Sequence, residues 1–187
     1  ALSPAITGFT GMGVDGVGWG TAVTKDAVWI TGFNGKILVM DFNGKPVGKE
    51  SDFPFKEKLT GLMGIGIAAN GDVWIADGSD NQLLFFPGGR IKDGRIVKVA
   101  GLKSPFDIVI DDENRVWVAN SSSDTVVRFP ANAPTKLETF HCGIGAKVLI
   151  AVTQNLSDSV FNRNNGFMKA PFGPGFGGAL LRHHGVL

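Results

Sequence analysis

The chain has 187 residues, of which 43% are hydrophobic and 19% charged, a composition typical of one globular domain and not of a disordered chain. Its 18 basic and 17 acidic residues leave a formal net charge of +1, which gives no electrostatic case for nucleic acid or an anionic membrane as a partner. The single cysteine, Cys142, excludes an intrachain disulfide and a Cys-rich metal site. A periplasmic or secreted location is the expectation, although a reducing compartment also fits the cysteine content.

Three similar units follow one another along the chain, each centred on a Val-Trp pair. The tryptophans are Trp29, Trp74 and Trp117, so the period is 45 and then 43 residues. Within each unit the apolar runs are short, rich in Val, Ile, Phe and Trp, and bounded by Gly, Asn and Asp. Such runs predict strands rather than helices.

Each unit predicts the same succession of strands separated by polar turns. The first strands are expected at 21–23, 65–68 and 106–110, and the second at 28–30, 73–75 and 116–118. The third strands are expected at 37–40, 83–86 and 126–129, and looser fourth strands at 96–99 and 136–140. Four antiparallel strands in ~40–45 residues are typical of a β-propeller blade. An aromatic residue at a fixed repeat position belongs to the core, so the three tryptophans are expected to pack against neighbouring blades.

The sequence therefore predicts an all-β chain of three clear blades, at residues 18–140, with a degenerate or partial fourth. Residues 141–187 contain this fourth unit and an irregular tail, because no tryptophan follows and residues 166–180 are rich in Gly, Pro and Phe. Closed propellers need about four to eight blades. Residues 1–17 are a candidate ring-closing strand, and a homodimer that pairs its open edges is the alternative.

Two segments, GIAANGDVWIADGSDNQLLFF (66–86) and FDIVIDDENRVWVANSSSDTVVRF (106–129), resemble the NHL-repeat superfamily of propellers. This group includes gluconolactonase-like and streptogramin-lyase-like proteins, and the resemblance covers roughly residues 13–140. It implies a propeller fold, with Ca²⁺ or Mg²⁺ as the cofactor of the lactonase branch. The positions matching that branch's cation ligands are Trp19, Ile65 and Phe106, which lack the oxygen donors that a hard cation needs. The lyase branch relies on channel His and Glu residues, and no histidine precedes His141.

Candidate ligand-binding residues lie in the loops that enter the first strand and leave the second strand of each blade, because these loops share one face of a propeller. They are Asp77, Asp80, Asn81, Lys103, Phe106, Asn120 and Asp124, accompanied in the same loops by Asn34, Ser79 and Ser121. Binding groups concentrate on loops that a rigid scaffold holds. The same residue types also form tight turns by bonding their own backbone, and this alternative stays open.

Asp107 is the one residue for which a catalytic or metal-binding role is considered. It stands where the other two units have glycine, and a carboxylate facing the channel binds a cation, or acts as a base if its pKa is raised. The alternative is a carboxylate bonded to neighbouring backbone N–H groups.

Three functions remain open from the sequence. The leading hypothesis is a non-catalytic propeller that binds a small molecule, a glycan or a protein on its loop face. The second is a divalent-cation-dependent hydrolase of the lactonase or esterase type, or a lyase, with Asp107 among its acidic groups. The third is a truncated propeller without an activity of its own.

Overall fold

The computed structural model describes residues 18–141, which form eleven β-strands in three antiparallel sheets. The first sheet contains β1 (Gly18–Val23), β2 (Val28–Gly32) and β3 (Ile37–Met40). The second contains β4 (Leu62–Ile67), β5 (Val73–Asp77), β6 (Gln82–Phe86) and β7 (Arg95–Val97). The third contains β8 (Pro105–Ile110), β9 (Arg115–Asn120), β10 (Thr125–Pro130) and β11 (Glu138–His141).

Strands that follow one another in sequence are also neighbours within each sheet, which is the strand order of a propeller blade. The predicted all-β fold with three blades is confirmed. The first strands β1 and β4 begin three residues earlier than the sequence predicts, and β8 begins one residue earlier. The predictions for residues 1–17 and 142–187, including the fourth blade and the ring-closing strand, lie outside the described residues.

The connections between the described strands, of which residues 41–61 form the longest, hold no long helix. Three single 3₁₀ turns occur, at Glu50–Asp52, Pro87–Gly89 and Ile91–Asp93. Within residues 18–141 there is no helix with the length and apolar character required to span a membrane.

The polar turn between the first and second strands of a blade depends on residues that tolerate unusual backbone angles. In the second blade, Gly71 has a φ of +86° and its N–H donates to the carbonyl of Ala68 at 2.8 Å. In the third blade Asn114 takes the same role, with a φ of +57° and an N–H bond to the carbonyl of Asp111. Gly and Asn are the residues that enter this region at least cost, so the polar turns predicted from the sequence have a direct backbone cause.

Each of the first two tryptophans packs against a phenylalanine of the following blade. The ring centroids of Trp29 and Phe86 are 5.0 Å apart, and those of Trp74 and Phe129 are 5.7 Å apart. All four side chains are almost completely buried. The first strands β1, β4 and β8 lie side by side at the centre of the arrangement. The predicted packing of Trp29 and Trp74 against neighbouring blades is confirmed.

Among the described residues, Trp117 makes a different set of contacts, which lie within its own blade. Its ring stacks on Phe140 at 5.5 Å, and the guanidinium of Arg128 lies 4.8 Å from its centre. Its Nε1–H donates to Asp111 Oδ2 at 2.7 Å. Trp74 differs again, since its buried Nε1–H has no hydrogen-bond partner within the described part of the chain.

Asp111 is the centre of the polar network beneath Trp117. Its Oδ1 accepts from the backbone N–H of Arg115 at 2.9 Å, and its Oδ2 accepts from Arg115 Nε at 2.7 Å. Burial of the carboxyl acts to raise its pKa, but the bonds from Trp117 and Arg115 outweigh burial, so the pKa lies below the ordinary value of 3.8.

We expect Asp111→Asn to destabilise the fold by about 1–3 kcal/mol at pH 7, because charged partners strengthen hydrogen bonds and their loss leaves buried donors poorly paired. Folding lowers the pKa of Asp111, so its contribution to the free energy of unfolding is complete above pH 3.8. That contribution is lost as the pH falls through the pKa of the folded state. Urea unfolding at pH 7 and near pH 3 measures both effects. The exposed Asp26→Asn is the control, and an equal loss in both variants would contradict the role assigned to Asp111.

Candidate functional site

We define the loop face as the end of the blades formed by the hairpin loops 33–36, 78–81 and 121–124 together with the connections that end at Gly61 and Ser104. Backbone hydrogen bonds join these loops from blade to blade. The carbonyl of Phe33 accepts from the N–H of Gly61 at 3.0 Å, and the carbonyl of Gly61 accepts from the N–H of Gly78 at 3.1 Å. The loops of the first and second blades therefore form one connected frame.

The loops of the second and third blades are joined through Ser104. Its N–H donates to Asn81 Oδ1 at 2.5 Å, and its carbonyl accepts from both the N–H and the Oγ–H of Ser121 at 2.9 Å. Asn81 and Ser104 have φ values of +50° and +51°, a region that non-glycine residues seldom enter. Sequence reasoning placed Asn81 and Ser121 on this face, but it did not find Ser104, whose role depends on its backbone and leaves no signal in residue type.

Asp77 and Asn120 occupy equivalent positions three residues after the tryptophan, and both are completely buried. Asp77 Oδ2 accepts from Gln82 Nε2 at 2.8 Å. Asn120 Nδ2 donates to Thr125 Oγ1 at 2.9 Å, and its Oδ1 accepts from the N–H of Lys103 at 2.9 Å. Both side chains thus bridge the two ends of a hairpin loop, and Asn120 also joins its hairpin to the connection that precedes β8.

The other candidate residues lie on the surface of the loop face. Exposed positions are Asn34, Ser79, Asp80, Asn81, Lys103 and Asp124, whereas Phe106 and Ser121 are half-buried. The structure therefore places these loop residues at the same end of the blades, with Asp77 and Asn120 buried. Whether any of them contacts a ligand stays a prediction.

Burial raises the pKa of Asp77 above its ordinary value of 3.8. The hydrogen bond from Gln82 opposes this rise, and the nearby carboxylate of Asp80 adds to it. The ionised form of the Asp77 carboxyl is therefore unfavourable at this position. The equivalent residue of the third blade, Asn120, carries no charge.

The pairing of the first and second strands corrects one correspondence between blades. The residues opposite the three tryptophans are Ala22, Gly66 and Val109. Counting back along the first strands, Trp19 and Phe106 correspond to Met63 and not to Ile65, the residue that the sequence alignment selected. The alignment failed because the first strand of the second unit contains two glycines, Gly64 and Gly66, and only strand register separates them. Met63 carries a thioether, so this position still offers no oxygen donor in any of the three blades.

Asp107 corresponds to Gly20 and Gly64, and it is half-buried against the neighbouring first strand. A Cβ atom added to Gly64 would lie 2.7 Å from Asp107 Cα, so the absence of a side chain there leaves room for the aspartate. Its Oδ1 accepts from the backbone N–H of Ile108 at 2.9 Å. Within residues 18–141, no three His, Cys, Asp or Glu side chains are grouped as metal ligands would be. The catalytic and metal-binding roles of Asp107 stay predictions.

Three aromatic side chains meet on the loop face where the first strands begin. The rings of Trp19 and Phe106, from the first and third blades, are 5.2 Å apart and nearly perpendicular at 89°. Phe33 lies 6.3 Å from Trp19 with an angle of 49° between the rings. Trp19 is 47% exposed and Phe33 52% exposed. We call these three residues the aromatic cluster.

Of the three residues in the aromatic cluster, the sequence identified only Phe106 as a candidate binding residue. Trp19 was considered only as a position that cannot ligate a cation. Phe33 was missed entirely. The available signal was a large aromatic residue directly beside a turn, at Phe33-Asn34-Gly35 and at Gly18-Trp19-Gly20. That signal does not reveal that Trp19 and Phe106, which are 87 positions apart in sequence, meet in space.

No protein-family model and no curated protein matches the chain. Solved structures do match. Virginiamycin B lyase from Staphylococcus aureus is 17% identical, with a TM-score of 0.57 over 69% of this chain and 42% of the lyase. The WD40 repeats of RRP9 are 10% identical, with a TM-score of 0.55 over 66% of this chain and 38% of that one. A structure of a nidogen/laminin complex is 14% identical, with a TM-score of 0.50 over 63% and 43% of the respective chains.

These neighbours share the β-propeller fold, and the described residues of this chain are consecutive blades of such a propeller. The chain spans less than half the length of each of the three. Because the identities are 17% or lower, the likeness establishes the fold and not an activity.

We expect Asp77→Asn to change the pH dependence of stability. Folding raises the pKa of Asp77, so its contribution to the free energy of unfolding is greatest below pH 3.8. That contribution declines as the pH rises through the pKa of the folded state. The stability of the variant relative to wild type should therefore increase from pH 3.5 to pH 7. Chemical unfolding across this range is the measurement. Asp26→Asn, which removes an exposed charge, should show no such trend, and a flat difference for Asp77→Asn would refute the buried-charge account.

Proposed function

We propose that this propeller is a binding module whose ligand contacts the aromatic cluster on the loop face. The single observation that carries the proposal is the half exposure of Trp19 and Phe33 at the point where Trp19 meets Phe106. Large exposed aromatic groups that lie together are typical of ligand-binding surfaces, and isolated exposed apolar residues are not.

The frame around the cluster supports this proposal, because binding is stronger when a surface is ordered before the ligand arrives. Phe33 belongs to a loop that is bonded to Gly61, and Trp19 and Phe106 lie on β1 and β8. Two aromatic contacts further restrict the Trp19 ring. Little conformational freedom is therefore left to lose on binding.

Three polar side chains of the loops support the proposal, because they already have hydrogen-bond partners within the fold. Asn81, Asn120 and Ser121 direct oxygen or nitrogen atoms to partners within the fold. These bonds join the loops to the rest of the fold, and the exposed rings of Trp19 and Phe33 are the groups that we propose for recognition.

The hydrolase or lyase hypothesis has one specific observation in its favour, the carboxylate of Asp107 at a position where the other two blades have glycine. This side chain lies beside Phe106, at the start of the first strand of its blade. We keep it as the second candidate function, with the missing catalytic partners supplied from outside residues 18–141.

We expect a library of small molecules, oligosaccharides and peptides to yield ligands that lose affinity at least tenfold in Trp19→Ala and in Phe33→Ala. Saturation-transfer NMR followed by titration is the measurement. Phe42→Ala is the matched control, because Phe42 is 54% exposed and follows β3, whereas Phe33 precedes it. Ligands that respond to Phe42→Ala and not to the cluster variants would overturn the proposal.

For the second candidate, we expect Ca²⁺, Mg²⁺, Mn²⁺ or Zn²⁺ to raise the unfolding temperature of the wild type but not of Asp107→Ala, because a ligand that binds only the folded state stabilises it. A tenfold excess of free ion over its dissociation constant is worth about 1.4 kcal/mol. Asp124→Ala, which removes an exposed carboxylate from the same face, is the control. Equal responses in all three proteins would count against a metal role for Asp107.

A further inference from the structure

Three Asn-Gly pairs occupy the same kind of turn in the described residues, namely Asn34-Gly35, Asn43-Gly44 and Asn70-Gly71. In each turn the glycine has a positive φ, between +77° and +86°. Its N–H donates to the carbonyl three residues earlier at 2.8–2.9 Å. The backbone is therefore nearly the same in all three turns. A fourth pair, Asn165-Gly166, lies outside the described residues.

An asparagine followed by glycine is chemically labile, because glycine has no side chain to hinder attack of its own backbone nitrogen on the asparagine amide. The glycine nitrogen forms a bond to the asparagine Cγ, the Cγ–Nδ2 bond breaks, and ammonia leaves with the proton that the backbone nitrogen gives up. Water then opens the resulting cyclic imide and yields aspartate or isoaspartate. The reaction requires rotation of the asparagine side chain and a local opening of the turn.

The side chains of the three asparagines are held to different degrees. Asn70 is fixed at both ends, since its Oδ1 accepts from the N–H of Asp72 at 3.1 Å and its Nδ2 donates to Asp72 Oδ2 at 2.9 Å. The Oδ1 of Asn34 accepts from the N–H of Lys36 at 3.2 Å. Within the described part of the chain, no hydrogen bond holds the side chain of Asn43, which is exposed. Rotation of the amide towards the glycine nitrogen therefore costs least at Asn43.

The three turns also differ in how firmly the rest of the fold holds them. Those of Asn34 and Asn70 connect paired strands, β2 with β3 and β4 with β5. The turn that contains Asn43 follows β3 and is closed by one isolated bridge, between Met40 and Pro46. Segments that few bonds hold open at the lowest free energy. The backbone movement that the reaction requires is therefore easiest at this turn.

We propose that Asn43 is a site of spontaneous deamidation in the folded protein. The product adds a negative charge to a turn that already contains the carboxylate of Asp41, whose Oδ1 accepts from the N–H groups of Asn43 and Lys45 at 2.9 Å. The isoaspartate form also adds a methylene group to the backbone of the turn. Because β3 runs from the loop 33–36 to this turn, the site lies at the end of the blades opposite to the loop face, and the modification does not depend on the proposed function.

Peptide mapping by mass spectrometry of the full chain, incubated at mildly alkaline pH, measures the reaction at each asparagine separately. The same measurement in guanidinium chloride gives the rate at each position in the unfolded chain, and the ratio of the two rates is the protection that the fold provides. We expect the fold to protect Asn43 least, by about fivefold less than Asn70, because one net hydrogen bond contributes about 1 kcal/mol. Asn43→Gln should abolish the reaction at position 43, because glutamine has to form a larger ring, and should leave the rate at Asn70 unchanged.

A second variant tests the reason for the difference. Asp72→Ala removes the carboxylate that accepts from Asn70 Nδ2, and it should reduce the protection of Asn70 by about fivefold without changing that of Asn43. The proposal is overturned if Asn43 is as well protected as Asn70 in the wild type, or if the folded chain shows no deamidation at position 43. Unchanged protection of Asn70 in Asp72→Ala, with thermal unfolding showing that the variant is folded, overturns the role assigned to side-chain hydrogen bonding.

Discussion

The packing of a tryptophan from one blade onto a phenylalanine of the next is the interaction on which the rest of this structure depends. Trp29 on Phe86 and Trp74 on Phe129 set the separation of the blades, and these four side chains are the largest completely buried groups of the described residues. Replacing such a residue with alanine typically costs about 3–5 kcal/mol. The rotation from blade to blade that follows from this packing brings the beginnings of β1 and β8 close enough for aromatic contact across the centre.

Close approach of the first strands requires glycine as well as aromatic packing. The N–H of Gly20 donates to Thr31 Oγ1 at 2.9 Å, and the same hydroxyl donates to the carbonyl of Met63 at 2.5 Å. A Cβ atom at Gly20 would lie 2.5 Å from that carbonyl oxygen. Thr31 therefore links two blades only because position 20 has no side chain. At the equivalent position of the third blade stands Asp107, so the requirement for glycine does not extend to that blade.

The blades share a fold but not one set of side-chain partners. In the second blade Phe85 is paired with Trp74 across the strands and lies 4.4 Å from it, centroid to centroid. The corresponding partner of Trp117 is Arg128, whose guanidinium lies over the indole ring. A cation over a ring tolerates water better than a second ring does. The two indoles also differ in their hydrogen bonds. Asp111 accepts the indole N–H of Trp117, whereas the indole N–H of Trp74 is buried without a partner in the described residues.

The sequence by itself determined the blades, because the 45- and 43-residue spacing of the tryptophans and the polar turns around them depend only on local strand periodicity and backbone preference. It also predicted β3 at Ile37–Met40 to the residue. Only the tertiary structure decided that Met63 corresponds to Trp19. The first strand of the second unit contains two glycines, Gly64 and Gly66, and strand pairing alone shows which of them matches Gly20. Only the tertiary structure brought Trp19, Phe33 and Phe106 together. The contact between Trp19 and Phe106 depends on the rotation of whole blades about a common centre, and no local pattern of residues encodes a distance across that centre.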